Sequence, residues 1–551
     1  MNRQLSSDSN LETLKKEAKR WLKALRSGDT QARQRLVVAR VSTDSPTLRD
    51  VQLALAREHG LPGWAELRQT LDDLALARRS RAEHVEIVLR SAAWQGDRTA
   101  AQRVLARWPD IGTENLYIAV ATGNLAEVER RLAGDPAAAN RKGGPLSWEP
   151  LLYLAYARLS GGDAHALEIA AALLDRGADP NASWNDGWDN PFKVLTGVIG
   201  LGEGVQPPHP QAQALASLLI ERGASPYDTQ ALYNTSIASD DPNWLETLWT
   251  QSERRGLLDR WRTASPPDGI LKRTAIDYLL GNAVAYNHLA RAEWLLVHGA
   301  DPNGPHAYSQ RAMREEALVY GHQAMADLLV KHGAAELPLS GLVAFQAACT
   351  RLDRDTARAV LAQHPECRQQ ADPMIIAARA GRVATVALLL ELGMSVDIAD
   401  DNGLRGIQAA IAAGSIEVVR LLLAHGADID QPTKYYGGAL GFAGHFGRRD
   451  IAELLAPLSR DVHNLTFLSI KDRLLQLFAE QPALVNAVNP RRGVTPLFCV
   501  PDDEDAALEM TEFLLAHGAD REARSKDGQT AEELARQRGL MDAADLMAPP
   551  L

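Results

Sequence analysis

A nine-residue phrase that recurs along the chain constrains its fold more than any other feature. Leu173-Leu174-Asp175-Arg176-Gly177-Ala178-Asp179-Pro180-Asn181 returns as Leu295-Leu296-Val297-His298-Gly299-Ala300-Asp301-Pro302-Asn303 and as Leu422-Leu423-Ala424-His425-Gly426-Ala427-Asp428-Ile429-Asp430. Weaker copies stand at Gly223-Ala224-Ser225-Pro226, Gly333-Ala334 and Gly393-Met394-Ser395, and a late one at Gly518-Ala519-Asp520. Gly299 to Gly333 is 34 residues and Gly393 to Gly426 is 33. A fixed period of this size specifies a small unit that cannot bury its apolar face alone and therefore stacks on copies of itself.

The phrase has a local physical meaning. An apolar helix ends, and Gly supplies the left-handed residue that caps it. The Asp bonds its own backbone to hold a turn, and Pro fixes the next dihedral. Upstream, Gly321, Gly381, Gly414 and Gly447 each end a first helix. Between the two glycines lies a second helix, as in Ile416-Glu417-Val418-Val419-Arg420-Leu421-Leu422, with apolar residues at helical spacing.

From about residue 83 to the C-terminus this pattern resembles the ankyrin family. The resemblance implies an all-α ankyrin-repeat solenoid of helix-turn-helix repeats with short projecting turns. The Thr-Pro-Leu-His signature of the first helix is mostly missing, and only Thr495-Pro496-Leu497-Phe498 comes close. The interval from Gly333 to Gly393 holds one disguised repeat, with Gln363-His364-Pro365-Glu366 at its turn, and the interval from Gly426 to Gly518 holds two more. A period of about 33 then gives about fourteen units over 83–551. The last, Gln529 to Leu546, carries Glu532, Glu533, Arg536 and Arg538, a charged helix suited to a terminal cap.

Residues 1–82 form a separate helical module and linker. Leu14-Lys15-Lys16-Glu17-Ala18-Lys19-Arg20-Trp21-Leu22 is amphipathic, and Gly28-Asp29 and Gly60-Leu61-Pro62-Gly63-Trp64 punctuate the rest of the module. It looks like a module found ahead of some bacterial ankyrin proteins, and its plain reading is a helical N-terminal cap.

Composition narrows the function classes. A net charge of −11 without a basic block argues against nucleic acid, which needs clustered Lys and Arg. Cys349, Cys367 and Cys499 are too scattered for a disulfide framework or a thiolate metal site, and point to a reducing compartment. Met1 to Asn10 lacks an apolar signal stretch, and no apolar run is long enough to span a bilayer. The chain reads as cytoplasmic, with no membrane partner, no metal site and no cofactor. His298, His332, His425 and His517 directly precede Gly-Ala turns, where an imidazole complements the helix dipole, so they read as structural.

The array is irregular between 148 and 320. This stretch holds seven of eleven Trp and eight of eleven Tyr, far more than its share of the length. Trp184, Trp188, Tyr227, His306 and Tyr308 follow the turn phrases, and Tyr435 and Tyr436 hold a similar place later. Rigid aromatic rings on projecting turns suit binding at low entropic cost, and packing between turns is the competing reading. Trp244, Trp249, Trp261 and Trp294 fall at core positions.

An insertion, Gly200-Leu201-Gly202-Glu203-Gly204-Val205-Gln206-Pro207-Pro208-His209-Pro210, interrupts one unit. The next first helix, from Tyr227-Asp228-Thr229-Gln230 through Asn234 to Ser236, is unusually polar. Asp228 or Thr229 can cap it. Capping leaves Gln230, Asn234 and Ser236 to line a wet groove or to bind something.

Two functions fit these features. The resemblance implies recognition of another protein through the concave face. The alternative is a small-molecule or carbohydrate site in repeats 181–308, where Glu203, His209, Asp228, Asn234, His288 and His306 converge beside aromatic walls. If that site is enzymatic, Glu203, His209 and Asp228 supply acid–base chemistry, although no nucleophile motif accompanies them.

Overall fold

The computed structural model describes residues 3, 5, 11–41, 46–94, 96, 98–159, 161–185, 191–204, 206–265, 269–434 and 437–548. Among the described residues the chain is all-α apart from one two-stranded pairing, Ser183–Trp184 against Phe192–Lys193. It divides into two compact units, 1–282 and 283–551.

The first unit opens with four helices, Leu11–Arg26, Thr30–Val38, Leu48–Glu58 and Trp64–Arg78. They close around their own core, including Ala18, Trp21, Leu36, Val51, Leu55 and Leu67. Trp21 donates its indole N–H to the Ala32 carbonyl at 2.9 Å. The Arg35 guanidinium lies 3.9 Å over its ring and pairs with Glu17 and Glu58. The segment is thus a small folded module with a tryptophan at its centre.

Beyond the module the chain is built of helix pairs. In the first unit, Leu116–Ala121, Pro150–Tyr156, Val194–Ile199 and Thr229–Ala238 are successive first helices packed side by side. Leu125–Gly134, Ala166–Leu174 and Ala212–Glu221 form the second layer. In the second unit, Asp372–Arg379, Gly406–Ala413 and Ala439–His445 pack in the same way, and one apolar core runs from Phe345 to Met547. The Gly333 to Gly393 interval contains the pair Gly341–Thr350 and Arg354–Gln363, closed by a tight helical turn at Pro365–Gln369 instead of a Gly-Ala-Asp phrase.

The turn chemistry has the expected form. Gly177, Gly299 and Gly426 have φ of +84°, +97° and +82°. The next amide reaches back five residues: Ala178 to Leu173 O, Ala300 to Leu295 O and Ala427 to Leu422 O, at 3.0–3.1 Å. Asp179 and Asp301 each accept the amide two residues on, at 2.8 and 2.9 Å.

An Asn at the turn adds a link between repeats. Asn303 donates to Gly333 O at 3.0 Å and accepts from Ala335 N at 2.9 Å. Asn181 does the same to Gly223 O and Ser225 N, and Asn486 to Gly518 O and Asp520 N. Each Asn reads the backbone of the next turn and fixes the spacing of the stack. Among the described residues no helix is long and apolar enough to cross a membrane.

Candidate binding surfaces of the two units

In the first unit, most residues picked out by sequence face inward. Trp184 is half-buried, its ring 4.9 Å from Phe192, 5.3 Å from Trp148 and 5.8 Å from Tyr156. Trp188 lies outside the described residues. Tyr227 is 7% exposed, edge-on to the buried Trp261 and covered by the Arg260 guanidinium at 4.8 Å. Trp249 packs 5.2 Å from Trp261.

On the polar helix Thr229–Ala238, Gln230, Asn234 and Ser236 are buried and hydrogen-bonded within the fold. Asp228 is 1% exposed. It caps the helix through Gln230 N and Ala231 N and accepts Thr196 Oγ1–H at 3.0 Å. Burial holds its pKa above the usual carboxylate value. Gln230 donates to Asn234 Oδ1 at 2.9 Å, and Asn234 donates to Gly200 O at 2.9 Å. The Gly202 amide, in turn, bonds to Asn234 O. Ser236 donates to Tyr233 O and accepts from Asn282 Nδ2 at 2.8 Å. Asn234 therefore pins the glycine-rich insertion to the helix. At its exposed tip, Glu203 accepts the Tyr233 hydroxyl at 2.5 Å.

The second half of the insertion builds a recess of about 250 Å³ with the ends of two first helices. His209 is 5% exposed, and its Nδ1 accepts the Gln211 amide at 3.1 Å. The neutral ring therefore carries its proton on Nε2. Desolvation first, then the nearby Arg158 charge, lowers its pKa to about 4. Arg158 is held by carbonyls: Nε to Pro207 O at 3.0 Å, Nη1 to Ala155 O and Ala157 O, and Nη2 to Gly197 O at 2.7 Å. Glu203 and Asp228 do not line this recess, so the structure does not gather Glu203, His209 and Asp228 into one acid–base site.

His288, His306 and Tyr308 belong to the second unit. His288 is partly exposed, with its ring 5.8 Å from Tyr286. His306 is 6% exposed, at the base of a hairpin bridged by Pro305 and Ala312. The centre of that base is Glu316, 1% exposed. It accepts from Ser309 Oγ at 2.8 Å and Arg311 Nη1 at 3.0 Å, with His306 Nδ1 at 3.5 Å. Arg311 also reaches Asp372 at 2.8 Å. Desolvation lowers the His306 pKa, outweighing the pull of Glu316. On top of this locked base, Tyr308 is 61% exposed. Tyr435 and Tyr436 lie outside the described residues.

Residues 344–433 and 375–466 match the family described as ankyrin repeats (three copies). The chain contains ankyrin repeats. Among solved structures, one chain from the complex of a predatory endopeptidase from Bdellovibrio bacteriovorus with an immunity protein is similar. It is 23% identical, with 32% of this chain and 95% of that chain covered and a TM-score of 0.25. No curated protein matches the chain.

Of the four histidines before the Gly-Ala turns, three donate Nδ1–H to the carbonyl four residues back. His298 reaches Trp294 O at 2.7 Å, His425 Leu421 O at 2.9 Å and His517 Phe513 O at 2.8 Å. A neutral ring makes this bond, so no imidazolium is required. Sequence reasoning missed the arginines that close first-helix ends. Arg448 donates to Ala412 O at 2.8 Å, Arg538 to Val500 O at 2.6 Å, and Arg382 to Tyr320 O. For Arg382 and Arg448, an Arg at the start of the second helix was the available signal, whereas Arg538 ends its own helix.

Proposed function

We propose that the chain is a recognition scaffold that binds another protein through the turn-bearing face of its ankyrin repeats, the hairpin carrying Tyr308 being a principal contact. The supporting observation is the contrast between a locked base and an exposed tip. His306, Ser309, Arg311 and Glu316 fix the hairpin from below, while Tyr308, its ring 5.9 Å from His306, is 61% exposed. A rigid aromatic held in this way offers contact area with little further ordering cost.

The net charge of −11 favours a partner with a basic or mixed surface. The three free cysteines fit work in a reducing, cytoplasmic compartment. Affinity capture from cell extract with wild type and Tyr308→Ser tests the reading. A central aromatic anchor is worth about 2 kcal/mol or more, so recovery of a specific partner should fall by more than about tenfold. Equal recovery by both proteins contradicts the role given to the hairpin.

A further inference from the structure

The recess beside the insertion has a feature that helix capping does not explain. Carbonyl oxygens take four of the five N–H groups of Arg158, leaving one Nη2–H, and they supply no opposite full charge. A second arginine, Arg98, lines the same recess, and neither arginine is ion-paired with a carboxylate among the described residues. Arg382 and Arg448 also donate to first-helix carbonyls. What sets Arg158 apart is the recess with a second cation and an imidazole on its wall.

Like charges held near each other cost free energy unless an anion lies between them. The effect is visible on Arg158, whose pKa is lowered to about 10 by burial first and then by Arg98. Asp163 is the acidic side chain in the lining and forms no ion pair among the described residues, so the recess carries a net charge near +1. His209 adds an uncharged donor, because Nδ1 is occupied by the Gln211 amide and the proton sits on Nε2.

We propose that Arg98, Arg158 and His209 form a binding site for a small anion bearing a carboxylate or phosphate group. The site is distinct from the Tyr308 hairpin and does not depend on the protein-recognition reading. Its volume of about 250 Å³ lies below the roughly 300–1,000 Å³ typical of drug-sized ligands, which limits the occupant to the anionic group and a few further atoms. The anion sits between the two guanidiniums and accepts the His209 Nε2–H. The proline run Pro207-Pro208-His209-Pro210 fixes that wall, giving the insertion a second task beside its tie to Asn234.

The test is titration calorimetry of the full chain with inorganic phosphate and, separately, with succinate, at constant ionic strength in chloride. The proposal expects one-to-one binding of at least one probe. Arg98→Glu changes an exposed side chain, so it should keep the native circular dichroism while weakening binding by at least about tenfold, the loss of one charge-assisted contact. His209→Gln should weaken binding less, and Tyr308→Ser not at all. Absence of binding by both probes, as expected of a pocket reserved for a partner's acidic side chain, overturns the proposal. So does equal binding by wild type and Arg98→Glu.

Discussion

Replacing Glu316 by Gln tests how the Tyr308 hairpin is held. The carboxylate has a side-chain exposure of 2% and lies 2.8 Å from Ser309 Oγ and 3.0 Å from Arg311 Nη1. The amide keeps the shape and one acceptor, but removes the charge facing Arg311 and turns an N–H toward its neighbours. Breaking a fully buried ion pair costs about 3–5 kcal/mol. Arg311 keeps Asp372 at 2.8 Å and is partly exposed, so the expected cost is lower, about 2–3 kcal/mol. Asp372 is 53% exposed, and Asp372→Asn should cost less than about 1 kcal/mol. A repeat array need not unfold in one step. The assay is therefore native-state hydrogen exchange at amides 304–320, supported by urea unfolding. If Glu316→Gln changes local stability by under about 0.5 kcal/mol, or Asp372→Asn costs as much, the buried network does not hold the hairpin.

Further predictions concern other parts of the chain. His209 has a folded pKa near 4, below its unfolded value near 6.5, so the unfolded state binds more protons between those values. Its contribution to stability is present above about pH 6.5 and is lost as pH falls toward about 4; the wild-type minus His209→Gln difference in urea stability should fall over that window, and a constant difference would refute the assignment. Asn303→Ala removes two exposed bonds between repeats and should cost about 1–2 kcal/mol, read in the unfolding of the second unit, with no change counting against the ladder. Hydrogen exchange should show the irregular stretch 197–270 opening before 372–430, and uniform protection would contradict it. Burial raises the thiol pKa of Cys349 to about 12 and of Cys499 to about 11, so both should resist alkylation at neutral pH until the chain unfolds.

Much of the fold was legible because its determinants are local. Gly177, Gly299 and Gly426 need a left-handed backbone, and Asp179, Asp301 and Asp428 each accept the amide two residues on within the same turn. The repeat hidden between Gly333 and Gly393 was legible from its period, although its turn uses Pro365 in place of the phrase. The candidate site was far less legible. Gln230, Asn234 and Ser236 look like binding groups in one dimension, whereas two of their partners, Gly200 O and Asn282 Nδ2, lie 34 and 46 residues away. Arg158 gave no signal because its partners are backbone carbonyls, which any sequence supplies. Tyr227 and Tyr308 both follow turns, yet one packs on Trp261 and the other stands on a hairpin. The difference comes from tertiary packing around the turn, which the turn phrase does not encode.

Photocrosslinking tests the central claim most directly. A photoreactive phenylalanine analogue replaces Tyr308 on the hairpin in one protein, and Val297, 66% exposed on a second helix, in another. The account predicts a discrete protein adduct from position 308 in cell extract and none from 297. Adducts from 297 alone, or equal adducts from both, would contradict recognition through the turn-bearing face.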